Sequence, residues 1–262
     1  MSSAPFRERY GPRALVAGAS EGLGAAFADA LARRGLDLLL IARREEQLTA
    51  TADRIRQQHG VNVITLVADL ADIDAVLPRI SALDLPIGLL VYDAAFAPIG
   101  PFAGATSEQL SQAAAVNVRA PLLLTKALSG PMIARGRGGI VLMSSLAGSQ
   151  GSPNISAYAA TKAFNAILTE GLWSELKPHG VDVLACLAGA ILTPGYQQAE
   201  GAKPAPGTLT PEAVAEQTLN ALGHGPIVIP GAVNKLGRFV LTRLLSRRAA
   251  IAIMSQNTGG LS

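Results

Sequence analysis

Ala14-Leu15-Val16-Ala17-Gly18-Ala19-Ser20-Glu21-Gly22-Leu23-Gly24 decides how this chain reads. Four apolar residues of strand length run directly into a turn with three glycines, and helical spacing follows over 23–34. Glycines let a backbone turn tightly and approach a pyrophosphate, whose charge the N-terminus of the next helix favours. Strand, glycine turn and helix together give a phosphate-binding reading its credible context. The spacing is G-x-x-x-G-x-G, not the commoner G-x-G-x-x-G. Gly18, Ser20, Glu21, Gly22, Leu23 and Gly24 are therefore candidate cofactor contacts. A tight strand-to-helix loop without a ligand carries similar glycines, so the rest of the chain must decide.

Outward from this stretch, apolar runs recur at 14–17, 36–41, 61–67, 88–91, 139–143, 181–187 and 227–229. They are continuous, not alternating, as strands buried on both faces are. Helical patterns lie between them at 23–34, 45–59, 73–82, 107–128, 157–177 and 211–222. Thr210-Pro211-Glu212 reads as a helix start, and Gly35 and Gly60 sit where C-terminal caps belong. The alternation predicts an α/β fold: a doubly wound, mostly parallel seven-stranded sheet with helices on both faces. No repeat or flexible linker divides residues 1–262, which read as one domain. Two segments break the rhythm: 194–209, with the composition of a lid, and 233–254, an apolar C-terminal helical extension dotted with arginines. At helical spacing those arginines scatter, so the extension reads as packing on a subunit, or as lying on a membrane surface.

Composition narrows the function. Of 262 residues, 49% are apolar and 16% charged, which excludes a disordered chain. The single cysteine, Cys186, and three histidines frame neither a disulfide nor a zinc site. No metal is expected. A net charge of +3 is too small to argue for nucleic acid. The first twelve residues lack an apolar leader core, and no uncharged apolar run reaches the roughly 18 residues of a membrane span. These features predict a cytoplasmic protein in a reducing setting.

After the second strand comes Ile41-Ala42-Arg43-Arg44. A site for NAD wants a carboxylate near that strand end to hold the ribose 2′-hydroxyl; Ala42 has none. A guanidinium there matches a 2′-phosphate in charge and fork geometry, so Arg43 and Arg44 favour NADP(H) over NAD(H). A solvated helix start is the plainer reading of both. Further on, Tyr158 and Lys162 stand four apart on one helix face. A free phenol, with a pKa of about 10, is a weak acid–base group at neutral pH, and a nearby ammonium is expected to lower it. Ser145 ends a strand thirteen residues upstream, where it can hydrogen-bond a carbonyl oxygen.

With these motifs in order, the chain resembles the short-chain dehydrogenase/reductase family, in its short single-domain branch, from about Arg13 to Ile229. Gly18, Gly22 and Gly24 match the family's glycine turn. Asp69, followed by Leu70, matches the adenine contact after the third strand. Asn117 matches the helix Asn that shapes a water-linked proton relay, and Ser145, Tyr158 and Lys162 match the catalytic group. Thr193, with Gly189 and Ile191 before it, matches the nicotinamide end. The resemblance implies that Tyr158 donates a proton to a carbonyl oxygen held by Ser145 as hydride arrives. Lys162 would bind the ribose and tune Tyr158. Two departures stand out. Tyr92-Asp93-Ala94-Ala95 replaces the family's Asn-Asn-Ala-Gly, placing Asp93 near the cofactor, and Ala188-Gly189 replaces Pro-Gly.

The expected substrate is a small-molecule carbonyl or alcohol. Phe96, Ile99, Phe102, Leu146, Ile191 and Tyr196 suggest an apolar ketone: steroid-like, aromatic or fatty-chain. Lys203 or Glu200 on the lid would suit a polar one. Rival readings are an NADP-binding regulatory or scaffold protein without turnover, and an epimerase or dehydratase on the same fold. The resemblance also implies a homodimer or homotetramer, formed where the long helices pair across a two-fold axis. Cys186 reads as inert core, and the histidines as caps or exposed residues.

Overall fold

The structure is a computed structural model that describes residues 3–193 and 205–258. Its strands are β1 (Arg13–Ala17), β2 (Asp37–Ala42), β3 (Val63–Val67), β4 (Ile87–Tyr92), β5 (Gly138–Ser145), β6 (Val181–Ala188) and β7 (Ile227–Val228). They form one sheet in the order β3-β2-β1-β4-β5-β6-β7, every adjacent pair parallel. The order reverses beside β1, and open sheets of this kind bind ligands in the crevice there, outside the strands' carboxyl ends. The glycine turn and Ser145 both leave the sheet at that end.

The helices are α1 (Ser3–Tyr10), α2 (Gly22–Arg33), α3 (Glu45–His59), α4 (Ile73–Ala82), α5 (Ser107–Ala114), α6 (Ala120–Ala134), α7 (Ser156–Leu176), α8 (Pro211–Ala221), α9 (Ala232–Phe239) and α10 (Arg247–Thr258). Alternate strand residues feed two cores. Ala14, Val16, Leu38 and Leu40 pack with Phe27, Leu31, Leu48 and Leu219 on one face. Leu15, Leu39 and Ile41 pack with Ile73, Val76, Leu124 and Met132 on the other. This two-sided burial explains the unbroken apolar runs. The expected caps are present: Gly35 and Gly60 take positive φ, and Thr210 accepts from the Ala213 N–H.

Three differences from the sequence reading have physical reasons. The polar N-terminus forms α1, because Phe6 and Tyr10 bury and Tyr10 donates to Asp182 at 2.7 Å. The expected helix 107–128 is two helices joined by a π turn, Ala115–Arg119, and it continues to Ala134. The C-terminal extension is also interrupted, by a π turn at Val240–Leu244, and its last part docks on its own chain. There Ala250 is buried, Arg247 donates to the Ser149 carbonyl, and Asn154 donates to that of Thr258. Most of the expected lid, with Tyr196, Glu200 and Lys203, lies outside the described residues. Its end is described: Leu209 bridges to Ile191, and its N–H donates to Ala190 at 3.1 Å.

Candidate active site

The glycine turn is shaped by close backbone approach. Gly18 has φ +95°, and a Cβ there would lie 2.6 Å from the Ala94 nitrogen. A Cβ on Gly24 would lie 2.1 Å from the Gly18 carbonyl oxygen, so only hydrogen fits at either position. Glu21 occupies the N-cap of α2 but makes no capping bond, which leaves the first N–H groups of Gly22 and Leu23 open to an anion. Above them lies a cavity of about 390 Å³. It brings together Gly18, Ser20, Glu21, Arg43, Arg44, Asp69, Leu70, Asp93, Ala94 and Ala95. Gln112, which the sequence reading missed, also lines it.

Both arginines at the outer rim already face carboxylates. Arg44 meets Glu21 at 2.7 Å and donates to the Ser20 hydroxyl at 3.1 Å, closing over the turn. Arg43 lies 3.9 Å from Asp69, whose side chain also caps the Ala71 N–H. All four charged side chains are more than two-fifths exposed, so these pairs are weak and exchangeable.

Ser145, Tyr158 and Lys162 are not among the residues lining that cavity; Ser145 closes β5, and its hydroxyl accepts from the Ala147 N–H at 3.2 Å. The Tyr158 phenol, in the first turn of α7, lies beside Ser145. Burial pushes Tyr158 up to about 12, offset in part by Ser145 and reinforced by the Asp93 carboxylate. Lys162 is buried, donates to the Met143 carbonyl at 3.0 Å and sits 5.4 Å from the Tyr158 ring centroid. Burial pulls its ammonium down to about 8, against the attraction of Asp93. The expected lowering of the phenol is therefore not found. Lys162 lies over the ring with its amine bound to a backbone carbonyl, and desolvation dominates both groups. Asp93 is itself raised to about 6 by burial, opposed by Lys162 and by a hydrogen bond from the Gly24 backbone.

Asn117 is buried at the centre of the π turn. Its side chain clamps Phe96, accepting from the Phe96 N–H at 2.8 Å and donating to its carbonyl at 2.7 Å. It also donates to Thr161 at 3.0 Å. The Asn117 carbonyl accepts from Asn165 at 3.1 Å, because the residue four positions on, which would donate in an α-helix, is Pro121. Tyr92 secures the turn from β4, donating to the Val116 carbonyl at 2.6 Å. Pro121 four residues after Asn117 was the readable signal for the π turn. Nothing local marked Asn165 or Thr161, which α7 brings in from more than forty residues away.

Beyond β6, Gly189 lies against Asn234 of α9, where a Cβ would fall 2.7 Å from the Asn234 Oδ1. The Thr193 N–H donates to Ile191 at 2.7 Å.

Comparison with known proteins identifies the assembly. The sequence profile of the short chain dehydrogenase family matches residues 12–203. The chain belongs to the short-chain dehydrogenase family. Over 233 residues it is 33% identical to a 7beta-hydroxysteroid dehydrogenase of Clostridium sardiniense, covering 88% of this chain and 89% of that one. A solved structure from a study of 7beta-hydroxysteroid dehydrogenase stereoselectivity superposes with a TM-score of 0.90 at 29% identity, covering 95% of this chain and 99% of that one. A short-chain dehydrogenase from Sphingobium yanoikuyae in complex with NADPH gives 0.76 at 32% identity, covering 95% and 94%.

As a short-chain dehydrogenase, the chain is an oxidoreductase of a class that binds a nicotinamide cofactor. Its residues fit one: the turn admits no Cβ at Gly18 or Gly24, the N–H groups starting α2 are uncapped, and two guanidinium groups face the cavity. Among the described residues there is no cluster of His, Cys, Asp or Glu able to hold a metal, and no helix long and apolar enough to cross a membrane. Of the histidines, His59 is neither a cap nor free: it lies 3.0 Å from Asp29, beside Arg54.

Proposed function

We propose that this short-chain dehydrogenase transfers hydride between NADP(H) and a bulky apolar ketone, or the corresponding secondary alcohol, of steroid-like size. One observation carries the reading: the Tyr158 phenol lies beside Ser145 with the buried Lys162 ammonium over its ring, and Asp93, which lines the nucleotide cavity, acts electrostatically on both Tyr158 and Lys162. When bound, the nicotinamide supplies or accepts the hydride. Tyr158, protonated at neutral pH, gives its proton to the carbonyl oxygen. Ser145, oriented by the Ala147 N–H, holds that oxygen with its own hydroxyl hydrogen. Lys162 keeps a positive charge beside the phenol as the proton leaves. Asn117 acts as a positioning residue, holding the Phe96 backbone at the cavity wall.

The preference for NADP(H) rests on Arg43 and Arg44 at the rim and on the absence of an acid at Ala42. The apolar substrate rests on Ile99 and Phe102, both mostly exposed on the loop after β4. The Gly100 N–H ties that loop to the Asn154 carbonyl, just ahead of α7. The relatives bearing the 7beta-hydroxysteroid name support the same size class. Following NADPH absorbance across steroid, aryl, acyl-chain and sugar ketones tests the reading. The steroid and other bulky ketones are expected to turn over best; preference for the sugar would overturn the apolar site. A homodimer or homotetramer is part of the proposal, supported by exposed Leu122 on α6 and Ile167 on α7. Light scattering checks it, and a monomer at micromolar concentration counts against it. The single buried cysteine, Cys186, suits a reducing cytoplasm.

A further inference from the structure

The sequence divides its charge unevenly. No acidic residue follows Glu216, and the last 46 residues carry Lys235, Arg238, Arg243, Arg247 and Arg248. The remaining 216 residues hold 17 basic against 19 acidic groups, so the whole positive balance of this protein lies in its C-terminal segment.

The structure turns that segment outward. α9 and the π turn after it bury one side, where Asn234 donates to the Pro230 and Gly207 carbonyls at 2.9 and 3.0 Å. On the opposite side Val233, Leu236, Phe239 and Leu244 are each more than half exposed. Lys235, Arg238 and Arg243 line a shallow groove with Phe239 and Thr242. None of these three cations has an acidic partner among the described residues. Many arginines elsewhere on the surface are paired with carboxylates: Arg33 and Arg34 with Glu216, Arg56 with Asp53, Arg119 with Asp74. An apolar helix face bordered by unpaired cations is the pattern of a helix lying in a membrane interface.

We propose that α9 and its following turn dock this protein on an anionic lipid surface. Val233, Leu236, Phe239 and Leu244 enter the headgroup boundary, while Lys235, Arg238, Arg243, Arg247 and Arg248 meet the lipid phosphates. Charge complementarity selects this occupant. A second copy of the same face would bring its five cations against five more. A nucleic acid would use the cations and leave the apolar side chains in water. The face adjoins the site, because α10 is tied through Arg247 to Ser149, in the turn directly after Ser145. On the reading above, docking therefore brings the substrate entrance towards the lipid in which an apolar ketone dissolves.

Vesicle flotation of the full-length protein tests the proposal, using phosphatidylcholine vesicles with and without phosphatidylglycerol, at roughly 0.1 M and 1 M salt. Binding is expected only with phosphatidylglycerol present and only at the lower salt. Lys235→Glu with Arg243→Glu should weaken it by at least about fivefold for each cation removed. Leu236→Ser with Phe239→Ser should weaken it at unchanged charge. Both variants should keep wild-type NADPH turnover on a water-soluble ketone, which separates this test from that of the catalytic reading and reports that they fold. Three results would overturn the proposal: no flotation with anionic vesicles, equal flotation with phosphatidylcholine alone, or a serine variant that still floats but dissociates from dimer to monomer. The last would mark the face as a subunit interface.

Discussion

The buried catalytic group, the inner end of the site, and the outer rim of the nucleotide cavity are built on opposite principles. At the inner end, Lys162, Asn117, Ser144 and Asn165 are buried and held by bonds to backbone. At the outer rim, Arg43, Arg44, Glu21 and Asp69 stand largely in water and hold only one another and a serine. Burial moves the inner groups far from their ordinary pKa values and leaves the rim groups free to exchange partners. Chemistry that needs fixed protons belongs to the first environment. Selection between two soluble cofactors that differ by a phosphate needs only the second.

The contrast breaks most sharply at Tyr158. Tyr158→Phe keeps the ring that packs over Lys162 and removes only the proton donor. Turnover should fall roughly 10²- to 10⁴-fold, while NADPH binding, read by fluorescence, stays near wild type. Full turnover would remove the inner end from the chemistry altogether.

Pro121→Ala probes how the inner end is held. It supplies the N–H that an α-helix would direct to the Asn117 carbonyl, so Asn165 loses its exclusive hold and the π turn can close to α. Phe96 then shifts with the Asn117 side chain. We expect kcat to fall about ten- to a hundredfold with the KM for NADPH unchanged, the pattern of a misplaced wall and not of lost cofactor binding. Thermal stability should hold or rise, since a helix bond is gained.

Asp93→Asn tests the charge that joins the two ends. The Asp93 carboxylate raises Lys162, which burial has brought down to about 8. Removing it leaves the ammonium less supported, so Lys162 loses its proton at lower pH. The alkaline limb of kcat/KM should move down the pH scale, costing on the order of tenfold near pH 9 and little near pH 7. An unmoved limb would mean that Asp93 does not act on Lys162.

What the sequence made legible follows the same divide. The sheet, its parallel order and the glycine turn were readable because burial on both faces writes itself as apolar runs, and close approach writes itself as glycine. Ser145, Tyr158 and Lys162 were readable because a strand end and one helix turn fix their spacing. The π turn was less so: Pro121 looks like an ordinary helix residue until the Asn117 carbonyl is known to need another partner. Asn165 and Thr161 left no mark, since tertiary contacts alone bring them to Asn117. The direction of the Tyr158 shift was misread because desolvation is not visible in a spacing. At the rim, Arg43 stood out by its position after β2, but nothing in the spacing marks Arg44 as folded back onto Glu21 and Ser20.

That last feature sets the smallest and most discriminating prediction. A 2′-phosphate entering the rim must exchange with carboxylates already bound to both arginines, so it gains less than a free guanidinium would give. Exposed ion pairs are worth about 0.2–1 kcal/mol and a charge-assisted hydrogen bond roughly 1.5–3. Central values of the two differ by about 1.5 kcal/mol, which leaves each arginine on the order of tenfold of preference for NADPH. Arg44→Ala should therefore lower kcat/KM for NADPH by about that factor and leave NADH nearly unchanged, and Arg43→Ala should do the same. Glu21→Gln should act in the opposite direction: it frees Arg44 and removes a negative charge from the cavity, so NADPH should improve by a few-fold while NADH does not. Higher salt should shrink all three effects, because the groups are exposed. If Glu21→Gln left the cofactor ratio unchanged while Arg44→Ala lowered it, Glu21 would not compete with the phosphate. If neither arginine moved the ratio, the rim would be a solvated helix start and NADP(H) preference would have to come from elsewhere in the cavity.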